Sequence, residues 1–149
     1  MKRVVLVAVG ASLLSVAPAF AATQAEMDRN KQTVAALYDA AFNKKDMALA
    51  RTYMGPYYTQ HNPMAADGPE GLAGFVGYLK DKDPDFHIQI LRIFADGDYV
   101  MTHVWAQNNA NDRGTIAMDI FRLENGKVVE HWDSVQPIPE KANNSNGMK

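Results

Sequence analysis

The sequence contains no cysteine. Disulfide staples, a thiolate nucleophile and every Cys-based zinc or iron–sulfur site are therefore excluded. Net charge is also scarce. Lys and Arg number 15 against 17 Asp and Glu, a balance of −2 at pH 7, so no basic field invites nucleic acid and no such partner is expected. There is no glycine-rich phosphate loop, no Gly-x-Ser-x-Gly elbow and no nucleotide motif. His61, His103, His131, Asp119 and Asp133 could in principle converge, but no compact ligand motif such as His-x-x-x-His is present. Neither a metal nor another cofactor is expected.

An apolar run occurs at the N-terminus and nowhere else at comparable length. Lys2 and Arg3 precede an apolar stretch over residues 4–16, and Pro18 and Ala19-Phe20-Ala21 follow it. A basic start, an apolar middle and a small-residue cleavage site make a secretory signal peptide. The run is shorter than the roughly 20 residues a membrane span needs. Export with cleavage after Ala21 is expected, giving a secreted or periplasmic protein with no membrane attachment. The remaining chain is more acidic than the whole, because the leader carries two basic residues and no acidic one.

The 149 residues, 47% hydrophobic and 21% charged, suit one globular domain. Residues 22–140 read as that domain and the polar stretch 141–149 as a flexible tail. Residues 24–43 read as a helix, with Val34, Leu37, Tyr38, Ala41 and Phe42 on one face. Asp46 caps a second, short helix, and Asp67-Gly68-Pro69-Glu70 starts a third. Residues 57–61 form a short strand. From Phe86 the period becomes two. Phe86, Ile88, Ile90 and Phe94 alternate with His87, Gln89 and Leu91. Asp96-Gly97 turns the chain into a strand over 99–107, and strands over 115–123 and 127–135 form a final hairpin. Helices first and a consecutive antiparallel sheet afterwards define an α+β architecture.

The turn at Glu124-Asn125-Gly126-Lys127 decides which residues share a face. A two-residue Asn-Gly turn places Asp119 opposite Trp132. A three-residue loop with Gly126 left-handed pairs Leu123 with Lys127 and sets Asp119 opposite His131. The three-residue loop gives faces of clear character and is preferred, since a one-residue slip inverts a strand. One face then carries Ala117, Asp119, Phe121, Val129, His131 and Asp133. The other carries Ile116, Met118, Ile120, Val128 and Trp132. If the side of the preceding strand holding Met101, His103 and Trp105 joins the face of Asp119, His103 enters a group with Asp119, His131 and Asp133. Trp105, Phe121 and Val129 would wall it. Convergent titratable groups among aromatic walls describe a small-molecule pocket able to do acid/base chemistry. The opposite face, with Val104, Ile116, Met118, Ile120 and Trp132, is too apolar for water. A homodimer through it is expected.

The stretch from Asp119-Ile120-Phe121 through Asn125-Gly126 to Glu130-His131-Trp132-Asp133 resembles the C-terminal hairpin of SnoaL-like polyketide cyclases. Tyr58-Thr59-Gln60-His61-Asn62-Pro63 followed by Asp67-Gly68 is similar to the same family, as is the opening helix with Ala40-Ala41-Phe42-Asn43. The resemblance covers roughly residues 30 to 137. It implies a nuclear-transport-factor-2-like fold, a cone-shaped roll in which a curved, mainly antiparallel sheet wraps N-terminal helices around a pocket. It also implies that Asp133 is the general base of a cofactor-free aldol-type reaction, with His131 beside it and Asn62 lining the pocket. Asp119 stands where those cyclases carry a histidine. By this reading Asp133, His131 and Asp119 are the catalytic candidates, and His61, Asn62, His103, Trp105 and Phe121 contact the ligand. The fold also hosts isomerases, dehydratases, epoxide hydrolases and plain binding or association modules. An inward arginine would favour the epoxide hydrolases, but Arg122 falls on the outer face.

Overall fold

A threonine and a glutamate start the first helix. In the computed structural model, which describes residues 22–149, Thr23 caps α1 (Gln24–Tyr38), and Thr23 and Glu26 bond each other's backbone amides in a capping box. The leader expected over residues 1–21 lies outside the described residues. Val34, Leu37 and Tyr38 form the buried stripe of α1. The helix then widens into one π-helical turn, Asp39–Asn43, in which Lys44 N–H reaches Asp39 O at 2.9 Å. Asp46 caps the short α2 (Met47–Arg51) by accepting from Leu49 N–H. Strand β1 (Met54–Gln60) follows. Asp67 then caps α3 (Gly68–Lys82), which buries only Val76 and Leu79.

The remaining chain is strand: β2 (His87–Asp96), β3 (Tyr99–Gln107), β4 (Thr115–Glu124) and β5 (Lys127–Pro137). The sheet order is β1-β5-β4-β3-β2. All neighbours are antiparallel except β1, which lies parallel to β5 and makes the sheet mixed. The helices cover one face, and the core between them holds Val34, Leu37, Val76, Val100, Val104, Phe121, Leu123 and Val128. The architecture is the α+β class expected from the order of elements, with the cone that the resemblance implies.

The hairpin corrects the preferred turn. Asn125 and Gly126 take φ of 51° and 72°. Two positive φ values make the tight turn whose twist matches the strands, and asparagine tolerates that region. Glu124 therefore pairs with Lys127 and Leu123 with Val128. An irregularity then inserts one residue into β5, so that Phe121 pairs with His131 and Asp119 with Asp133. The bulge restores the facing that the three-residue loop was invoked to give, with partners shifted by two. Val128 is the exception: it faces the core opposite Leu123 and is fully buried, not outward as expected.

Strand β3 is inverted relative to expectation. Val100, Thr102 and Val104 are buried, while Met101, His103 and Trp105 face outward. In β2 a register shift at Leu91 turns Phe94 out, 59% exposed, although Ile88 and Ile90 pack inward. No helix among the described residues is long and apolar enough to cross a membrane.

Candidate functional site

The inner face of the β4–β5 hairpin is layered. From the turn outward the facing pairs are Leu123 and Val128, Phe121 and His131, Asp119 and Asp133, then Ala117 and Val135. The titratable layer thus sits between a closed apolar end and an open one, where Val135 is exposed. Thr102 on β3 pairs with Asp119 from the other side. On β1, Gln60 lies beside His131, and the chain then runs on through His61 to Asn62. Tyr38 approaches from α1.

Asp119 is 3% exposed. A buried carboxylate must be paired or hydrogen-bonded. Tyr38 Oη donates to its Oδ1 at 2.8 Å and Thr102 Oγ1 to its Oδ2 at 2.9 Å. His131 Nε2 lies 3.3 Å from Oδ1. The other imidazole nitrogen is also fixed. Gln60 Oε1 accepts from the Asn62 backbone N–H at 2.9 Å, which sets the amide's orientation, and it also meets His131 Nδ1 at 3.0 Å. Nδ1 is therefore the donor in that contact. The ring is held between Tyr58, near-parallel at 6.3 Å, and Phe121 at 4.8 Å. Burial, then the charge of Asp119, raises the Tyr38 hydroxyl well above the ordinary tyrosine range, so it stays a donor.

Asp133 is half-buried and the most open of the three acid/base groups. Asn62 Nδ2 lies 2.8 Å from each of its carboxylate oxygens. The Met64 backbone N–H donates to Asn62 Oδ1 at 2.8 Å, which fixes the amide the right way round. Ligand atoms of Asp119, His131 and Asp133 all lie within 4.8 Å of one another. That spacing could suit a metal ion, but hydrogen-bond partners already occupy the Asp119 oxygens and both His131 nitrogens. The donor set fits hydrogen bonding better than metal ligation.

Phe121 and Asn62 lie against this cluster, Phe121 beside His131 and Asn62 on Asp133. His103 and Trp105 do not, because they face outward. His103 Nδ1 accepts from Arg92 at 2.9 Å, and Trp105 Nε1 donates to Arg113 O. His61 also turns away: its ring stacks on Trp132 at 4.5 Å and its Nε2 meets Glu130 at 2.8 Å. Arg122 is on the outer face, bonded to Glu130 and Glu124, and among the described residues no arginine bonds either aspartate. Sequence reasoning missed Tyr38, Tyr58, Gln60 and Thr102 as site residues. Tyr38 was visible as the polar-tipped member of the α1 stripe. Thr102 carried no local signal, because only the facing of β3 brings it to Asp119. Towards the open end, Phe42 makes edge contacts with Phe75 and Phe86, and Ile88, Ile90 and Ala117 remain partly buried.

A mixed sheet wrapped around capped helices, with carboxylates and an imidazole in mid-cone, defines an NTF2-like α+β protein. The family of the SnoaL-like domain matches residues 34–131, and the chain belongs to it. No curated protein matches the sequence. Among solved structures, a Bacillus cereus ATCC 10987 protein classed as a polyketide cyclase superposes with a TM-score of 0.66 at 21% identity, covering 76% of this chain and 78% of its own. The M. tuberculosis LEH-like epoxide hydrolase gives 0.61 at 19%, covering 74% and 85%. A Kribbella flavida DSM 17836 protein classed as a ketosteroid isomerase gives 0.62 at 12%, covering 82% and 86%. At these identities the likeness is one of fold.

Proposed function

We propose that this SnoaL-like protein is an exported, cofactor-free acid/base catalyst acting on a small, largely apolar carbonyl compound. Asp133 is the base and takes a proton from the carbon next to the carbonyl. One observation carries this reading: a half-buried carboxylate, oriented by an amide that touches both its oxygens, beside a fully hydrogen-bonded Asp119–His131 pair. Orientation of the base and a fixed polar surround are what proton abstraction needs. Aldol condensation, isomerisation and dehydration all begin with that step. The solved relatives classed as a cyclase and an isomerase are compatible with it.

The test is hydrogen–deuterium exchange at the α-carbon of 2-tetralone in D2O, followed by proton NMR. The wild-type protein accelerates exchange and Asp133→Asn does not. Equal rates for the two proteins overturn the reading. A non-catalytic binding or association module is the second reading, favoured by the near-complete burial of Asp119 and His131. It predicts ligand retention without exchange in both proteins.

Export rests on residues 1–21, and N-terminal sequencing of protein recovered outside the cytoplasm tests it. A homodimer is part of the proposal as well. The outer face exposes Phe94, Met101, Met118 and Ile120, and Phe94, Met101, Ile120 and Trp132 line a groove of about 560 Å³ on it. Val104 is core and Ile116 is already buried within the chain, so neither belongs to that surface. Sedimentation showing a monomer at micromolar concentration removes the dimer.

A further inference from the structure

An enolate formed at Asp133 needs a hydrogen-bond donor for its oxygen, and most donors on the inner face are committed. Tyr38 and Thr102 donate to Asp119, His131 spends Nδ1 on Gln60 and faces Asp119 with Nε2, and Asn62 Nδ2 serves Asp133. Tyr58 differs. It is 5% exposed, on the inner face of β1, with its ring stacked near His131. Its hydroxyl oxygen accepts a long bond from Gln60 Nε2 at 3.4 Å, while its own proton has no acceptor among the described residues. Gln60 lies one inward step nearer the open end, because β1 runs parallel to β5 with Gln60 beside His131. The hydroxyl therefore points up the cone towards the Asp119–Asp133 layer. A buried hydroxyl proton without an acceptor is costly, and a ligand oxygen would satisfy it.

We propose that Tyr58 is the substrate-touching donor of this site, hydrogen-bonding the carbonyl oxygen of an enolisable ketone. The proposal rests on the reading of Asp133 as base. Asp133 takes the α-proton, the C–H electron pair becomes the C=C bond, and the carbonyl π pair moves onto oxygen. Tyr58 holds that oxygen through O–H···O⁻ without giving up its proton, and return of the proton from Asp133 closes the cycle. Burial, then the charges of Asp119 and Asp133, raises the Tyr58 pKa well above the ordinary tyrosine value, so the group remains protonated as a donor must. Such a donor acts where charge develops, which favours the enolate over the ketone.

The probe is 4-nitrophenol, whose phenolate oxygen imitates an enolate and whose absorption reports its ionisation. Tyr58→Phe keeps the ring and removes only the hydroxyl; it is expected to weaken binding about tenfold. Tyr57→Phe, which loses a hydroxyl on the outer face bonded to Glu124, binds as wild type. Site-specific 3-fluorotyrosine at position 58, a stronger donor, tightens binding and needs no change of shape. The tenfold loss from Tyr58→Phe persists in the Asp133→Asn background, because the donor acts independently of the base. Equal affinity for wild type and Tyr58→Phe, no response to fluorination, or no binding by the wild-type protein at millimolar probe overturns the proposal. Failure of the base reading shows elsewhere, as 2-tetralone exchange indifferent to Asp133→Asn.

Discussion

Tyr38→Phe is the substitution that most directly probes the buried polar layer. The ring stays in place, with its edge contacts to Phe42 and Phe121 at 5.1 Å each. Only the hydroxyl that donates to Asp119 Oδ1 at 2.8 Å is lost. Hydrogen bonds to charged groups contribute about 1.5–3 kcal/mol. Asp119 keeps Thr102 and His131 as partners, so the loss falls near the middle of that range, about 2 kcal/mol. At about 3 °C per kcal/mol for a domain of this size, Tm falls by about 6 °C. Thr102→Val removes the donor to the other oxygen and costs a similar amount. The double variant should depart from additivity by about 0.5 kcal/mol or more, since both donors serve one carboxylate. Urea unfolding followed by circular dichroism measures all three, with unchanged m-values confirming that stability alone moved. Losses below about 0.5 kcal/mol for both single variants would refute the claim that these hydroxyls hold a buried charge.

Gly114 takes φ of +88°, and a Cβ there would collide with Trp105 and with the Ala106 carbonyl. Gly114→Ala is expected to cost about 3 kcal/mol or more, read from the same urea transitions. On the outer face, hydrogen bonds from His61 and then Arg122 lower the Glu130 carboxyl below its ordinary value. A group lowered on folding stabilises fully above its unfolded pKa and loses that contribution as pH falls through the folded value. Glu130→Gln should therefore lessen the acid-side fall of stability across the carboxylate range, measured as Tm against pH.

What was legible in the sequence followed from local rules. The cap at Asp46, the Pro69 helix start and the alternation of β4 and β5 all depend on neighbours within a few residues. So does the placement of Asp119 with Phe121 on one side of β4, and of His131 with Asp133 on one side of β5. A strand's period of two keeps those residues together in any register of the right parity. The sequence could not say which register held. The tight Asn125-Gly126 turn alone would have inverted β5, and a bulge at residues 128–129 turned it back. A bulge is the joint product of turn geometry and packing on both faces, which no local pattern encodes.

The facing of β3 lay further from the sequence. Both of its sides are apolar enough to be buried, so alternation alone could not choose between Thr102 and His103. Packing under α1 chose Val100, Thr102 and Val104, and sent His103 and Trp105 outward. Tyr38 and Asp119 lie 81 positions apart and meet only because the helix closes over the sheet. The sequence by itself determined the class of fold, the absence of thiol chemistry and the residue types of the site. Tertiary structure decided which hydroxyls surround Asp119, why Asn62 and not His61 reaches Asp133, and which donor is left free. Hydrogen-bond partners distant in the chain are set by how the layers stack, and a single chain's order does not contain that stacking in any local form.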